Sequence, residues 1–393
     1  MVLGLLLARS GIDVTVLEKH PDFFRDFRGD TIHPSTLELI HELGWLDEFL
    51  RLPHQEYDRL FISVNGQTIP GPDFSRLPTT CKFMAIMPQW DFLNFIAERA
   101  RQYPTFHLEM ETVVTDVVED NGRVAGVLAR VGERTIEVRA DLVIAADGRH
   151  STLRDRAGMR VEEMGVPIDV LWYRIRKTDH GAVHALGRIN GGRMMVTIDR
   201  GDYYQCGTLI RKGTLPEIRE RGLERLRADI VAVAPFLKDG VSELDDWSDI
   251  KLLTVQINRL RQWWRDGLLC IGDAAHAMSP AGGVGVNFAI QDAVATANLL
   301  TEKLRRREVT SRDLHAVQRR REWPVKVIQA IQGQIHRRMF RVEHGKTQPI
   351  ALPWLVLQVL PWIAPVLRWA ASRLIGVGIR PEHIQTSEVH KLL

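Results

Sequence analysis

The segment from residue 267 to residue 287 contains the residues of this chain that are best suited to hold a ligand. An apolar strand ends at Gly272 and Asp273, where a carboxylate can bind sugar-like hydroxyl groups. The small residues that follow allow another molecule to lie close to the backbone. Pro280 then leads into a glycine-rich turn that opens a long helix at Gly285. Backbone N–H groups and the positive end of the helix dipole are expected to stabilise negative charge there.

A second polar strand end lies at Asp147 and Gly148. Residues 141–145 form a short, nearly all-apolar run, which is typical of a strand buried on both faces. This strand brings Asp147 to the edge of a sheet, and Ser151 and Arg154 follow at the predicted start of a helix. A ligand contact is one interpretation of Asp147. The alternative is a strand-to-helix turn that Asp147 only caps.

A third carboxylate, Glu18, ends the strand predicted over residues 12–17. An apolar helix over residues 1–10 and Gly11 precede this strand. Helix, glycine, strand and terminal acid form the second half of a dinucleotide-binding βαβ unit, in which the acid accepts hydrogen bonds from a ribose. A solvated loop residue is the alternative for Glu18 alone. The first half of such a unit, a strand and a Gly-x-Gly-x-x-Gly loop, would precede Met1, so we expect the natural protein to start further upstream.

Several other side chains have two interpretations. His276 could be a general base, but its place inside the glycine-rich segment favours a structural hydrogen bond. Trp172, Tyr173, Tyr203 and Tyr204 lie on predicted strands, and alternation places some of them on a face that could meet a substrate. Core packing is the alternative for each of the four.

The composition of the 393-residue chain argues against several classes of protein. A net charge of +3 is too small to indicate a nucleic-acid partner, and the arginine clusters at 305–307, 319–321 and 337–338 are interpreted as solvated helix faces. Three separated cysteines predict neither a disulfide framework nor a zinc site, and they fit a reducing compartment such as the cytoplasm. Prolines and arginines interrupt the apolar residues 349–379, so we expect a packed helical tail there. Contact with a membrane surface is the less favoured alternative.

The motifs together resemble the single-component FAD-dependent monooxygenases of the para-hydroxybenzoate hydroxylase type. The resemblance covers nearly the whole chain and is weakest beyond about residue 330. It implies an α/β (α+β mixed) fold with a Rossmann-like FAD-binding lobe, an antiparallel-sheet substrate lobe and a helical C-terminal tail. The FAD lobe is expected at residues 1–60, 88–158 and 262–320, the substrate lobe at 61–87 and 159–261, and the tail at 321–393. Strands separated by turns over residues 166–258, and a helix predicted over residues 216–234, fit the substrate lobe.

The resemblance also implies roles for single residues. In this family the Gly-Asp segment, here Gly272-Asp273, meets the ribityl chain. The Asp-Gly segment, here Asp147-Gly148, lies near the FAD pyrophosphate and is linked to the use of pyridine nucleotides. Glu18 is expected to bind the adenosine ribose, and Arg28 and Gln89 look similar to polar residues that flank the FAD. The turn beside the isoalloxazine ring corresponds to Pro280, Gly282, Gly283, Gly285, Val286 and Asn287. The family often has glutamine between the last two glycines, where Val284 stands here, so the backbone amides are better supported as contacts than the side chains.

The implied activity is hydroxylation of an aromatic or polyketide-like small molecule with NAD(P)H and O₂, through a flavin C4a-hydroperoxide. In this chemistry the cofactor carries out the oxidation, while the protein positions the substrate and excludes water. No catalytic side chain and no metal ligand are therefore predicted. Two alternatives stay open: an FAD-dependent reductase or dehydrogenase of a lipid-like substrate, and a cofactor-free remnant that acts as a binding protein.

Overall fold

The computed structural model describes residues 1–24, 30–178, 186–341 and 354–389. The chain has the mixed helix and sheet architecture that the sequence predicts. The helices are α1 (Val2–Arg9), α2 (Pro34–Glu42), α3 (Leu46–Phe49), α4 (Gln89–Ala100), α5 (Thr152–Arg156), α6 (Leu215–Glu220), α7 (Leu223–Val233), α8 (Gly285–Arg305), α9 (Ser311–Arg341) and α10 (Trp354–Gly376).

The strands are arranged in one large sheet and several small ones. They are β1 (Val14–Leu17), β2 (Thr31–Ile32), β3 (Gln55–Tyr57), β4 (Arg59–Val64), β5 (Gln67–Asp73), β6 (Met84–Ile86), β7 (Phe106–Glu109), β8 (Thr112–Asp120), β9 (Arg123–Val131), β10 (Arg134–Arg139), β11 (Val143–Ala145), β12 (Val161–Glu163), β13 (Ile168–Arg176), β14 (Gly187–Asn190), β15 (Arg193–Asp199), β16 (Tyr203–Arg211), β17 (Lys251–Thr254), β18 (Asn258–Leu260), β19 (Trp264–Arg265) and β20 (Leu268–Cys270).

Three strand pairs among the described residues are parallel, and two of them belong to small sheets. β1 pairs with β7, and β11 pairs with β20. In the second pair Ala145 lies opposite Cys270. The chain therefore leaves both strands at the same edge of the sheet, because parallel strands end on the same side. This register brings Asp147 and Asp273, which are far apart in sequence, to one place.

The large sheet has the strand order β17-β13-β16-β15-β14-β4-β5, and all its pairs are antiparallel except β14 with β4. One face packs against α6 and α7 through an apolar cluster that includes Leu171, Tyr173, Tyr204 and Ile230. A different, larger cluster surrounds α1, α8 and the β11–β20 pair. These separate cores support the two-lobe organisation that we propose for the chain.

The helix predicted over residues 216–234 is wrong in one respect, since α6 and α7 are separate helices. Gly222 lies between them with φ of 85°. That left-handed conformation is costly for other residues and ends the right-handed helix. The hydrophobic periodicity continues across this position, which is why the sequence pattern joined the two helices.

The described residues of the C-terminal region are helical as far as Gly376, as predicted, and three of their prolines lie inside helices. α9 contains Pro324, and α10 continues through Pro361 and Pro365. Within the described residues, no helix combines the length and apolar character that a membrane span requires. The arginine cluster at 319–321 was interpreted as solvated, and this is wrong for Arg321, which is 1% exposed and packs against α8.

Candidate functional site

The edge formed by β11 and β20 carries two of the predicted ligand-binding carboxylates. Asp273 is half-buried, and its Oδ2 lies 3.5 Å from Nη2 of Arg149. Asp147 is exposed, and its Oδ2 accepts a hydrogen bond of 3.2 Å from the backbone N–H of Leu153 in α5. Asp147 thus stabilises the start of α5, as the simpler interpretation predicted, while its carboxylate stays open to solvent. Arg149 balances the charge at this edge, so an anionic and a hydroxyl-bearing group can both be held here.

The glycine turn, residues 280–287, leads from this edge into α8. The Thr31 hydroxyl donates a 2.9 Å hydrogen bond to the carbonyl oxygen of Gly283, and the Asn287 amide donates to the Thr31 carbonyl oxygen at 3.3 Å. Gly283 has φ of 62°, and a Cβ at this position would collide with the Thr31 side chain. Only glycine allows β2 to approach the turn so closely. At Gly285 an added Cβ would have no neighbour within 4 Å, so this part of the backbone is open to a ligand.

The side chain of Asn287 points into the protein. Its Oδ1 accepts hydrogen bonds from the backbone N–H of His33 at 3.1 Å and from the Thr36 hydroxyl at 2.7 Å. The carboxamide therefore fixes the start of α8 to the start of α2. The first N–H groups of an α-helix have no acceptor within the helix, so those of Gly285, Val286 and Asn287 can serve a ligand. The backbone, rather than the Asn287 side chain, is the binding group.

His33 supports the same turn from the side of α2. The side chain is buried, and its Nδ1–H donates a 2.6 Å hydrogen bond to the carbonyl oxygen of Ile375 at the end of α10. Burial lowers the pKa of His33 to about 4, so the imidazole is neutral at pH 7. Its position joins the first turn of α2 to the C-terminal helix directly behind the glycine turn.

The remaining predicted cofactor contacts are Gln89, Glu18 and Arg28. Gln89 is half-buried and begins α4, which follows β6, and β6 pairs with β2 beside the glycine turn. Glu18 follows β1, and its Oε1 accepts a 3.0 Å hydrogen bond from the backbone N–H of His20. Among the described strands β1 pairs with β7 alone, so no strand pairing joins Glu18 to the Asp273 edge. Arg28 lies outside the described residues.

A buried charge network fixes the backbone between β20 and the glycine turn. The Asp292 carboxylate of α8 accepts hydrogen bonds from Gly272 N–H at 3.0 Å, from His276 Nε2 at 2.6 Å and from Arg321 Nε at 2.9 Å. Burial alone would raise the pKa of Asp292, but His276 and Arg321 outweigh it and lower the pKa. Asp292 is therefore ionised. His276 is 1% exposed and serves this network, which supports the structural interpretation over that of a general base.

Side chains alternate between the two faces of β13 and β16, and this divides the four aromatic candidates into two pairs. Tyr173 and Tyr204 belong to the apolar core under α7, so they face away from the predicted ligand site. Trp172 lies on the opposite face of the sheet, where its indole ring covers Gly207, with ring atoms 3.0 to 3.2 Å from the place of a Cβ. Tyr203 shares that face and lies under the Arg174 guanidinium, 5.2 Å from the ring centre. Core packing therefore explains two of the four candidates.

Two hydrogen bonds join the large sheet to the predicted ligand site. Gln205, on the same face, donates a 3.0 Å hydrogen bond from Nε2 to the Asp30 carboxylate just before β2. On the other side, Arg149 Nη1 donates to the carbonyl oxygen of Thr254 in β17 at 3.4 Å. Trp172 lies between these points on the sheet, because β13 is flanked by β16 and β17. Gln205 therefore joins the Trp172 face to the residue before β2, which holds the glycine turn, and the edge strand β17 is joined to Arg149, the partner of Asp273.

The donor set of this site fits FAD. The Asp273 carboxylate can accept hydrogen bonds from ribityl hydroxyls. A Cβ added at Gly148 would have no neighbour within 4 Å, so a ligand can approach the backbone there. The unpaired amides at the start of α8 suit the edge of a ring that becomes negative on reduction. No cluster of three or more histidine, cysteine, aspartate or glutamate side chains among the described residues could hold a metal ion.

Comparison with known proteins identifies the family. A sequence profile of the family described as "FAD binding domain" matches residues 1–330. The chain belongs to this family. The 6-methylpretetramide 4-monooxygenase of Streptomyces rimosus is 37% identical to it over 324 residues, which cover 82% of this chain and 77% of the relative. The para-nitrophenol 4-monooxygenase of Pseudomonas sp. (strain WBC-3) is 24% identical over 309 residues, which cover 76% and 74% of the two chains.

A solved structure has the same fold as this chain. The OxyS anhydrotetracycline hydroxylase from Streptomyces rimosus matches this chain with a TM-score of 0.74 and 20% identity, covering 96% of this chain and 74% of that chain. The resemblance to FAD-dependent monooxygenases of the para-hydroxybenzoate hydroxylase type is thereby confirmed. The alternatives of a reductase and of a cofactor-free binding protein are not favoured.

Sequence reasoning missed three groups that shape the site. Asp292 is one of them, although an acid four residues after Phe288 on a mostly apolar helix face is a recognisable signal of a buried charge. Thr31 was not recognised because its partner, Gly283, is distant in sequence. Gln332 and His336, which bind Ser279 just before the glycine turn, have the i, i+4 spacing of one helix face, and their role follows only from the packing of that face.

Proposed function

We propose that this chain uses NAD(P)H and O₂ to hydroxylate an aromatic or polyketide-like small molecule at a bound FAD. The observation that carries the proposal is that hydrogen bonds join the large sheet, through Gln205 on the Trp172 face and through Thr254, to Asp30 beside the glycine turn's partner Thr31 and to Arg149, the partner of Asp273. The names of the two monooxygenase relatives support the substrate class, since one refers to 6-methylpretetramide and the other to para-nitrophenol. The family profile supports FAD, whereas NAD(P)H as donor rests on the resemblance alone.

We assign the FAD contacts as follows. Asp273 accepts hydrogen bonds from the ribityl hydroxyls, Asp147 and Gly148 lie beside the pyrophosphate, and Glu18 binds the adenosine ribose. Gln89, with Arg28, flanks the cofactor. Gly272 lies with Asp273 beside the ribityl chain, and the turn beside the ring comprises Pro280, Gly282, Gly283, Gly285, Val286 and Asn287. Asn287 takes part through its backbone N–H, because its carboxamide is already bound to His33 and Thr36.

The chain's own contribution is positioning, electrostatics and the exclusion of water. The chemistry that bound FAD supplies is the acceptance of reducing equivalents from NAD(P)H and the activation of O₂. The amides at the start of α8 stabilise negative charge on the ring edge and need no reorganisation, because the turn is fixed by Thr31 and Asn287. The large sheet covers the reaction space, which protects reactive oxygen from water.

Trp172 is an aromatic side chain on the face of the large sheet that we propose contacts the substrate. The indole ring lies flat over Gly207 and is half-buried, and Leu209 and Val170 pack in the same cluster. Such a surface favours a planar aromatic ring, which stacks on an aromatic side chain at small entropic cost. We therefore propose that Trp172 contacts the substrate directly.

We place the enzyme in a reducing compartment, the cytoplasm, and expect a small molecule as its main partner. Cys81, Cys206 and Cys270 are all free and buried, which supports this location. Burial raises the pKa of Cys81 to about 11, so this thiol is not reactive at neutral pH.

The test of the function is turnover under isotopically labelled O₂. The FAD-loaded chain is given NADH or NADPH with a set of planar phenolic and polycyclic aromatic compounds, and cofactor oxidation and product mass are followed. We expect a suitable compound to accelerate NAD(P)H oxidation and its product to gain one labelled oxygen atom. A product formed under strict anaerobiosis, or one that carries no label, would contradict oxygen insertion and support the reductase alternative.

A further inference from the structure

Gln332 of α9 makes three hydrogen bonds to the backbone at the start of the glycine turn. Its Oε1 accepts from Ser279 N–H at 3.1 Å, and its Nε2 donates to the carbonyl oxygens of Ser279 and Ala281, each at 3.0 Å. The side chain is 3% exposed, so the carboxamide is held in one orientation. These bonds satisfy backbone groups that a short turn leaves without partners of its own.

His336 lies one helical turn further along α9 and binds the same segment. Its Nε2 is 2.7 Å from the Ser279 hydroxyl oxygen, and that oxygen also accepts a 3.2 Å hydrogen bond from Ala281 N–H. The His336 side chain is buried, and burial lowers its pKa, so the neutral ring is favoured. Together the two side chains occupy every polar group of Ser279.

We propose that Gln332 and His336 are positioning residues that set the distance between the glycine turn and the flavin ring. Thr31 holds Gly283 from the side of β2, while Gln332 and His336 hold residues 279–281 from the side of α9. The segment between these supports is short and contains Gly282, which is exposed and has φ of 83°. A glycine-rich segment relaxes when one support is removed, because its backbone entropy is high.

The inference rests on the proposed flavin site but adds residues that the family match does not include. The matched residues end at 330, so Gln332 and His336 lie beyond them. Neither residue has direct access to the reaction space, since both are buried behind the turn. They act through the amides of Gly285, Val286 and Asn287, whose stabilisation of negative charge depends strongly on distance. A displaced turn should therefore weaken the binding of reduced FAD more than that of oxidised FAD.

The experiment compares three variants with one control. Gln332→Met keeps the length of the side chain but cannot form hydrogen bonds, His336→Ala removes the second support, and His336→Gln retains a group that can bond to Ser279. Gln334→Ala is the matched control, because Gln334 lies on the same helix but is exposed. Amide hydrogen exchange of residues 279–287 is measured without FAD. The dissociation constant and the reduction potential are measured with FAD.

We expect exchange in residues 279–287 to become about tenfold faster in Gln332→Met and His336→Ala, with partial recovery in His336→Gln. We also expect binding of reduced FAD to weaken about tenfold relative to oxidised FAD, which corresponds to a potential about 30 mV more negative for a two-electron couple. Exchange and potential equal to those of Gln334→Ala would overturn the proposal. If Gln332→Met does not fold, the two His336 variants decide the question.

The failure of the proposed function is distinguishable from the failure of this inference. A chain that binds no FAD contradicts the proposed function, yet hydrogen exchange still shows whether α9 holds the turn. A chain that binds FAD with unchanged potential in all variants leaves the function intact and removes Gln332 and His336 as positioning residues.

Discussion

The Asp292 carboxylate accepts a 3.0 Å hydrogen bond from the backbone N–H of Gly272, which is the last residue before Asp273. The same oxygen lies 2.6 Å from His276 Nε2, and the other oxygen accepts from Arg321. Asp292 is 0% exposed, so its charge depends entirely on these partners. Through this bond, α8 determines where the predicted flavin-binding carboxylate stands.

We predict that Asp292→Asn lowers the free energy of unfolding by about 3 kcal/mol at pH 7, because the buried Arg321 then keeps only Glu382 as an acidic partner, at 3.4 Å, and shares it with Arg320. Urea denaturation measures the change. Asp239→Asn is the control, since Asp239 is exposed, and it should change the stability by less than about 0.5 kcal/mol. A loss for Asp292→Asn as small as that of the control would show that the network does not stabilise the fold.

The Asp273 carboxylate is predicted to hold the ribityl hydroxyls, and Asp273→Ala should weaken FAD binding at least about tenfold. A charge-assisted hydrogen bond contributes roughly 1.5–3 kcal/mol, which accounts for that loss. Quenching of flavin fluorescence gives the dissociation constant. Asp141→Ala is the control, because Asp141 is exposed and precedes β11 at the opposite edge of the sheet. An unchanged dissociation constant for Asp273→Ala would remove Asp273 from the site.

His33 is predicted to make the protein less stable in mild acid. Its pKa is about 4 in the folded chain and 6.5 when unperturbed, so the unfolded chain binds the proton first as the pH falls. The stabilising effect is complete above pH 6.5 and is lost between pH 6.5 and 4, with a slope approaching about 1.4 kcal/mol per pH unit for this proton. His33→Asn should flatten the dependence of the unfolding free energy on pH in that range.

The matched control for His33 is His150→Asn, since His150 is exposed. It should leave the slope of the unfolding free energy between pH 6.5 and 4 as in the wild type. His336 has its pKa lowered in the same direction, so some slope will persist in His33→Asn. Equal slopes in wild type and His33→Asn would show that His33 is not buried in its neutral form.

Trp172 is predicted to contact the aromatic substrate, so Trp172→Ala should raise KM by about tenfold or more, and Trp172→Phe by less, because stacking contributes about 0.5–1.5 kcal/mol beyond burial. Steady-state kinetics with the best substrate measure the effect. Tyr173→Phe is the control, because Tyr173 is the next residue on β13 but faces the core under α7. If both variants change KM equally, the assignment of the two sheet faces is wrong.

Much of the site could be predicted from local sequence. The strand ends before Asp147 and Asp273, and the turn that opens α8, follow from apolar runs, glycines and a proline within a few residues of one another. The same local signals failed between α6 and α7, where a single glycine divides one continuous hydrophobic pattern. The role of Arg28 stays a prediction.

Neighbouring residues on β13 show where sequence information ends. Trp172 and Tyr173 are both aromatic and both fit a strand, and alternation only requires them to face opposite sides. Which side meets the cofactor motifs depends on the contacts of Gln205 with Asp30 and of Arg149 with Thr254, which join elements far apart in sequence.

The sequence by itself determined the chemical groups of this protein and its mixed helix and sheet fold: a carboxylate after each of the strands β11 and β20, and a glycine turn at the start of α8. Local backbone preferences act over a few residues, so they can be read without knowing the fold. Only the tertiary structure decided which groups support that turn. Ser279 and His336 are 57 residues apart, and Asp292 and Arg321 are 29 apart. Such partners are selected by the packing of whole helices, because a buried polar group must find whatever partner the neighbouring helix presents.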